Sequence, residues 1–275
     1  MVLLERARLT LDEREAEWAK LAAALLSLLG NTTTILPLGD QTHDTGLVLT
    51  TIGSEQVDFT YSERIYAWDT PPRFLGPLGI PILEFNAVDE EADTPDIGYF
   101  SRDDFGGANG LSIGVWANVT DTATARIMVS KWDDSGGAEL REWEFYINSS
   151  DLLTFGTADE SVNVFPNRRS DAAITMGELR FFVVTYNGAG GGSNMNGATL
   201  YDNGTVLAST ANNEGTYDGM EDLGVQPAIG RIFGSGLFFS GSMTGGPLGP
   251  FFTQIELTAD QVLRAYQLGR AALGI

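Results

Sequence analysis

Residues 31–256 form a succession of short runs in which apolar and polar side chains alternate, such as "LSIGVWANVT" and "RFFVVTYNG", separated by turn signals. The clearest turn is Asn203-Gly204, between "ATLYD" and "TVLAS". Both central residues of a type I′ hairpin turn need a positive φ, which Asn-Gly tolerates. Short strands at this spacing, with helical patterns only at the two ends of the chain, predict an all-β, antiparallel β-sandwich.

The composition supports a folded β protein and limits its partners. Thirty-three glycines supply many tight turns, and a hydrophobic fraction of 43% is enough for a core. The formal net charge of −21 repels phosphates, so we expect no nucleic-acid partner and no membrane insertion. The chain has no cysteine, which excludes disulfides and thiolate metal sites. Its first residues lack the apolar core of a secretory signal, so we expect synthesis without a signal peptide.

Residues 10–29 carry the strongest helical pattern. Thr10 and Glu13 are spaced as a capping box, and Gly30 follows the last apolar turn. Apolar residues recur with a seven-residue repeat, which is typical of a helix that docks on a partner or a second copy of the chain. The alternative is an amphipathic helix that lies on its own domain. The candidate docking residues are Leu11, Trp18, Leu21, Leu25 and Leu28.

The other end of the chain predicts a second helix, "LTADQVLRAYQLGRAALGI". Thr258 and Gln261 are spaced as its capping box. We therefore expect three parts: an N-terminal helical arm (1–30), a β-sandwich (31–257) and a short C-terminal helix packed on the sandwich (258–275).

The order of the motifs resembles the laminin-G-like, concanavalin-A-like lectin–glucanase jelly roll. The run "LSIGVWANV", "RIMVSKW", "WEFYIN", "FFVVTYNG", "ATLYDNGTVLAS", "AIGR", "FFSGSM" and "LTADQVLRAY" carries this resemblance across residues 80–268. The resemblance implies two antiparallel sheets packed face to face, with loops at the edges of the concave sheet available for binding. It implies no single function, because such jelly rolls include sugar-binding modules, adhesion domains, glycanases and bacteriophage particle proteins.

The sequence shows no convincing catalytic constellation. A glycanase needs two carboxylates placed to flank a glycosidic bond. The nearest pair is Glu142 and Glu144, which alternation places on one strand face, and we expect that face to meet solvent opposite Trp143 and Phe145. His43 is the single histidine, which excludes histidine-cluster zinc sites, and we interpret it as a turn residue and not as the base of a catalytic triad. We therefore expect a protein that is not an enzyme.

Two aromatic residues are candidates for sugar binding, because the apolar face of a sugar stacks on an exposed ring. Trp132 stands where a strand gives way to a turn and is followed by Asp133, and Tyr217 lies in a glycine-rich loop. The alternative for Trp132 is packing in the core or at a sheet edge.

The sequence requires no cofactor, but calcium is the ion that its acidic loops could bind, since calcium prefers several converging oxygens. Asp89 and Glu90, in "VDEEAD", are the candidate ligands. The alternative is a solvated turn in an acidic protein.

Three functions follow from these observations. The first is a structural, non-enzymatic bacteriophage virion component, such as a capsid decoration or tail-associated jelly roll, which docks on other virion proteins or on itself as a homo-oligomer and contacts surface glycans. The second is a carbohydrate-binding module at a cell surface. The third and least favoured is a glycan-cleaving enzyme.

Overall fold

The computed structural model describes residues 11–30, 32–35, 48–50, 52–53, 58–61, 73–102, 110–120, 124–136 and 139–275. Its helices are α1 (Leu11–Leu29) and α2 (Ala259–Leu273). Its strands, in chain order, are β1 (Thr33–Ile35), β2 (Val48–Thr50), β3 (Ile52–Gly53), β4 (Asp58–Tyr61), β5 (Arg73–Leu75), β6 (Ile80–Asn86), β7 (Ala92–Asp93), β8 (Leu111–Val119), β9 (Arg126–Asp133), β10 (Leu140–Ile147), β11 (Leu153–Thr157), β12 (Asn167–Ser170), β13 (Leu179–Tyr186), β14 (Ala198–Asp202), β15 (Thr205–Val206), β16 (Ser209–Asn212), β17 (Pro227–Ile229), β18 (Ser240–Thr244) and β19 (Phe251–Thr253).

Within these ranges the strands form two antiparallel sheets, which confirms the predicted β-sandwich with a helix at each end. The first, which we call sheet A, has the order β15-β14-β13-β8-β18-β6-β5, and β19 also pairs with β8 and leads to β1 and β3. The second, sheet B, has the order β16-β12-β11-β10-β9-β17-β7-β4-β2. Neither α1 nor α2 is both long and apolar enough to span a lipid bilayer.

The main core lies between the two sheets and is built by alternation along the strands. In β10, Trp143, Phe145 and Ile147 point into this core and are at most 1% exposed. The residues between them, Glu144 and Tyr146, therefore point to the outer face of sheet B. Trp143 stacks on a phenylalanine of β19 in sheet A, which ties the two sheets together.

The outer face of sheet A is apolar and is covered by the two helices. Trp116 of β8 stacks on Phe181 of β13 at a ring-centroid distance of 5.0 Å and on Tyr266 of α2 at 5.6 Å. Leu29 of α1 and Val262 of α2 belong to the same buried cluster. Both helices are therefore part of the folded sandwich, because they remove a broad apolar surface from water.

The prediction that α1 docks on a partner is wrong, and the alternative holds. The indole Nε1 of Trp18 donates to the carbonyl oxygen of Leu78 at 2.9 Å. Leu21 and Leu25 are buried within their own chain, and Leu28 is half-buried against the same cluster. From Trp18 to Leu29, where the structure describes the side chains, the apolar stripe packs on sheet A and α2 and is not available to a partner.

The ends of α1 follow the sequence where the structure describes them. The helix begins at Leu11, whose side chain lies outside the described residues, as does Thr10 of the predicted capping box. Gly30 adopts a φ of +101°, and its N–H donates to the Leu26 carbonyl oxygen at 3.1 Å. This is the left-handed helix end that favours glycine.

The predicted hairpin and the predicted cap of α2 are both present. Asn203 and Gly204 have φ values of 50° and 77°, as a type I′ turn requires, and they join the paired strands β14 and β15. The side chains of Thr258 and Gln261 form a reciprocal capping box at the start of α2.

Shortening one buried side chain of α1 tests this packing. Leu25→Ala should lower the free energy of unfolding by about 2–5 kcal/mol, because it removes a buried leucine and leaves a cavity. Ser27→Ala, at an exposed position of the same helix, should change it little. Chemical denaturation measures both, and light scattering should give the same mass for wild type and both variants. A docking helix would instead leave the stability unchanged and alter the mass.

Candidate functional site

The outer face of sheet B carries two adjacent rows of side chains that cross β9, β10, β11, β12 and β16. Cross-strand partners in an antiparallel ladder point to the same side of the sheet, so each row lies on one face. We call these ten residues the open face. The first row is Ser130, Glu144, Gly156, Asn167 and Asn212. The second row is Ile127, Tyr146, Thr154, Arg169 and Thr210.

The open face differs from the outer face of sheet A in both chemistry and exposure. Its exposed members are Arg169, Thr210 and Asn212. Its half-buried members are Glu144, Tyr146 and Asn167. These side chains carry hydroxyl, amide, carboxyl and guanidinium groups, which are the hydrogen-bonding groups needed to hold a polar ligand. The other four members of the open face, Ile127, Ser130, Thr154 and Gly156, are buried. Sheet B therefore exposes polar groups on its outer face toward β12 and β16, whereas the outer face of sheet A is apolar and covered.

Glu144 lies near the middle of the open face, above Gly156. A Cβ added at Gly156 would come within 3.1 Å of Glu144 Oε1, so the glycine provides the space in which the carboxyl lies. Burial, followed by the nearby Asp134, raises the pKa of Glu144 to about 8, although Tyr146 and Arg141 act to lower it. At neutral pH this carboxyl is mainly protonated, so it can both donate and accept a hydrogen bond.

Tyr146 is the partner of Glu144 on the same strand face. Burial and then the carboxyl of Glu144 raise the pKa of Tyr146 far above its ordinary value, which keeps the phenol protonated. The Tyr146 hydroxyl hydrogen bonds with Glu144, and this contact lowers the carboxyl's pKa. The two side chains form a neutral hydrogen-bonding pair at the centre of the open face.

Trp132 does not form an exposed platform, which corrects that prediction and supports edge packing. Its side chain is 7% exposed, and Nε1 donates to Asp134 Oδ1 at 3.0 Å. Arg141 donates from Nε to the same oxygen at 2.7 Å and lies over the rings of Trp132 and Phe165. Trp132 therefore packs against Asp134, Arg141 and Phe165, and we call these four residues the wall of the open face. A ligand on the open face could touch the edge of Trp132 but could not stack on its ring.

The other two predicted sugar-binding residues have structural contacts. Tyr217 is 1% exposed and belongs to the core between the sheets. The backbone carbonyl of Tyr217 accepts from Gly191 N at 2.7 Å. The expectation that it is a loop platform is wrong. Asp133 Oδ1 accepts from Ser135 N at 2.7 Å, as a turn-capping carboxylate does.

Glu142 is buried, which corrects the prediction that it shares a solvent-facing surface with Glu144. The register of β9 against β10 shifts between Arg141 and Trp143, so one extra residue is inserted into β10. A bulge of this kind interrupts the alternation of side chains. As a result Glu142 turns toward Lys131, the cross-strand partner of the inward-pointing Trp143.

Glu142 and Lys131 form an ion pair in which both side chains are fully buried. Lys131 Nζ also lies 2.8 Å from Asp96 Oδ1, and Glu142 Oε1 accepts from Leu223 N at 3.0 Å. Burial raises the pKa of Glu142 to about 7, against the lowering effect of Lys131. These contacts join two loops to the end of sheet B, and they leave Glu142 away from Glu144 and the open face.

The predicted calcium ligands both form hydrogen bonds with Asn86, and calcium binding stays a prediction. Glu90 is buried, where burial raises its pKa to about 7, and its carboxylate accepts from Asn86 N. Asp89 instead bonds the Asn86 side chain. In the part of the chain that the structure describes, no group of three or more His, Cys, Asp or Glu side chains is arranged to hold a metal ion. His43 lies outside the described residues.

Sequence reasoning missed most of the open face. The alternation in "WEFYIN" already places Tyr146 on the side of Glu144, so this pair could have been found. Arg169, Asn167 and Asn212 lie on strands that are distant in sequence, and only the strand order brings them beside Glu144. A single sequence carries no signal of that order.

The raised pKa of Glu144 predicts a pH-dependent stability. Its folded-state pKa of about 8 exceeds the ordinary value of 4.5, so the folded protein holds this proton more tightly than the unfolded chain. The resulting stabilisation is complete below about pH 4.5 and is lost as the pH rises to about 8. Glu144→Gln cannot ionise, so relative to wild type its melting temperature should be higher at pH 9 than at pH 5.

Thermal unfolding at the two pH values measures this effect. Glu256→Gln, at an exposed position, is the matched control and should shift the melting temperature similarly at both. An equal shift at pH 5 and pH 9 for Glu144→Gln would contradict the assignment.

The fold and the open face define an antiparallel, lectin-type β-sandwich. The chain belongs to the Concanavalin A-like lectin/glucanases superfamily, whose sequence profile matches residues 93–245. The resemblance inferred from the motifs is thereby confirmed at the level of the superfamily. A search of curated protein sequences gave no significant match.

Solved structures with the same fold include toxin domains and a sialidase. The receptor binding domain of botulinum neurotoxin D is 11% identical, with 80% of this chain and 52% of that chain covered and a TM-score of 0.52. Botulinum neurotoxin type C, whose cell entry depends on interaction with two ganglioside molecules, is 13% identical (85% and 51% covered, TM-score 0.52). Trypanosoma rangeli sialidase, in complex with the inhibitor DANA, is 12% identical (92% and 37% covered, TM-score 0.52). The chain spans about half of the toxin structures and 37% of the sialidase, and these identities establish the fold alone.

Proposed function

We propose that this chain is a carbohydrate-binding domain that takes its ligand on the open face and does not cleave it. The observation that carries this proposal is the contrast between the two outer faces. Sheet A is closed by α1 and α2, whereas sheet B presents exposed and half-buried polar side chains. The superfamily is one of lectins and glucanases, which favours a glycan as the polar ligand.

The chemistry of the open face suits sugar hydroxyls. Asn167 and Asn212 offer amides that both donate and accept, and Glu144 and Tyr146 offer two more groups with both capacities at neutral pH. Flanking this set, the wall formed by Trp132 and its neighbours limits the surface on one side. A ligand lying across the strands would meet several hydrogen-bonding groups without stacking on an exposed ring.

The arrangement of carboxyl groups favours binding over cleavage. A glycosidase requires two carboxyl groups on either side of the scissile bond, about 5–9.5 Å apart. Glu142, the neighbour that could have served with Glu144, faces Lys131 in the interior. Asp134 is held by Trp132 and Arg141. Glu144 therefore has no free carboxylate partner among these neighbours.

The virion interpretation has lost its main structural support. It relied on an N-terminal helix available for docking, and that helix packs on its own sheet. None of the comparisons points to a bacteriophage protein, so this origin stays a prediction.

Removal of two amides from the open face tests the proposal. The double variant Asn167→Ala/Asn212→Ala should bind its best glycan about ten- to thirtyfold more weakly, because each neutral hydrogen bond contributes about 1 kcal/mol. Calorimetric titration with a glycan first identified on an array measures this. Asn118→Ala, on β8 of sheet A, is the matched control and should bind like wild type.

The proposal fails if the full chain binds no glycan on the array, or if the double variant binds as tightly as wild type. An assay for new reducing ends, run with the bound glycan, separates binding from cleavage. Release of reducing ends by wild type, but not by Glu144→Gln, would show that the chain is a glycosidase.

A further inference from the structure

In the part of the chain that the structure describes, most basic side chains of this acidic protein have an acidic partner. The chain has 37 Asp and Glu against 16 Lys and Arg, so each basic side chain has many acidic groups to pair with. Among the side chains that the structure describes, Arg169 is the one Lys or Arg that makes no hydrogen bond, ion pair or ring contact. By contrast, Arg141 pairs with three carboxylates and Arg180 with two.

The position of Arg169 distinguishes it from an ordinary surface arginine. Its backbone is paired on both sides, with Thr154 of β11 and Thr210 of β16, so the residue is held within the sheet. The preceding Arg168 points the other way and donates to Met195 O at 3.1 Å and to Ser209 Oγ at 2.7 Å. Because side chains alternate along the strand, Arg168 makes structural hydrogen bonds and Arg169 lies on the open face.

Among the described residues no carboxylate forms an ion pair with Arg169, whose charge instead acts to lower the pKa of Tyr146. The hydroxyl of Thr210 donates to Asp171 Oδ1 at 2.6 Å, and Asp171 makes no ion pair with Arg169. Glu144 is mainly protonated at neutral pH because burial raises its pKa to about 8. The open face thus combines a neutral hydrogen-bonding centre with one free guanidinium.

We propose that Arg169 binds an anionic group, a carboxylate or a sulfate ester, on a glycan that lies across the open face. This inference rests on the proposed function and specifies its ligand class. A guanidinium presents a planar pair of donors that matches two oxygens of such a group, and the charge-assisted contact is stronger than a neutral one.

The spacing of the strands sets the geometry of the ligand. Tyr146 and Arg169 are both cross-strand partners of Thr154, one on each side, so their strands are about 10 Å apart. A sugar whose hydroxyl groups meet Tyr146 and Glu144 would place an anionic substituent of the same or the next residue at Arg169. The net charge of −21 disfavours a polyanion elsewhere on the surface, so Arg169 would select anionic glycans by a local contact.

The test compares matched anionic and neutral glycans by calorimetric titration with the full chain. The pairs are sialyllactose with lactose, oligogalacturonate with its methyl ester, and a sulfated with an unsulfated galactose oligosaccharide. The first two pairs probe a carboxylate and the third probes a sulfate ester. Wild type should bind the anionic member of at least one pair about tenfold more tightly, with a preference that weakens as salt is added.

Two arginine variants decide the assignment. Arg169→Gln should abolish the anionic preference with little change in melting temperature, since Arg169 is exposed and forms no hydrogen bond or ion pair with the described residues. Arg264→Gln, at an exposed position on α2, should keep the preference. Equal wild-type affinity for both members of every pair, or a preference that survives Arg169→Gln, would overturn this inference and leave the proposed function standing. If wild type binds no glycan, neutral or anionic, the proposed function and this inference both fail.

Discussion

Every sheet has two faces, and a sandwich of two sheets buries only one face of each. The structure depends on whether each of the two outer faces is covered by other parts of the chain or is polar enough to meet water. In sheet A the outer face carries Trp116 and Phe181, whose rings would cost free energy in water unless they were covered. The stack with Tyr266 and the leucines of α1 provide this cover. On sheet B only the β9 end of the outer rows, with Ile127, is buried in a small apolar cluster. Toward β12 and β16 the rows are polar and partly exposed, so among the described residues this part of sheet B is the outer sheet surface left for a ligand.

This division explains why the terminal helices belong to the sandwich. From the sequence alone, the apolar stripe of α1 could have packed on another protein. A seven-residue repeat predicts that one helix face will be buried, but not what it packs against. The outer face of sheet A settles the choice, because it presents an apolar area that lies beside the helix and is contiguous with α2. A sequence read alone could not show that Trp116 faces outward from the sandwich core.

The fold could be predicted from the sequence because its determinants are local. Alternation along "WEFYIN" gives the strand and its buried residues, and Asn203-Gly204 gives the hairpin. The site could be predicted only in part, because its determinants are not local. A one-residue bulge turned Glu142 inward, and a loop carried Tyr217 into the core. Neither the bulge nor the loop is visible in the spacing of apolar residues. The sequence therefore predicted both side chains to be exposed, whereas both are buried.

The buried ion pair of Lys131 and Glu142 shows what the charged side chains in the interior do. Two ions taken out of water lose solvation that their attraction only partly restores, so such a pair contributes little to net stability. What it does is fix geometry: with Asp96 and Leu223 N it holds two loops against the end of sheet B. Other cations among the described residues also have structural partners, such as the buried Arg126 with Asp151 and Arg141 beside Trp132. Among the described residues Arg169 differs from these cations, because it lies in the exposed polar rows of sheet B without an ion-pair partner, and this contrast is the reason for proposing a ligand there.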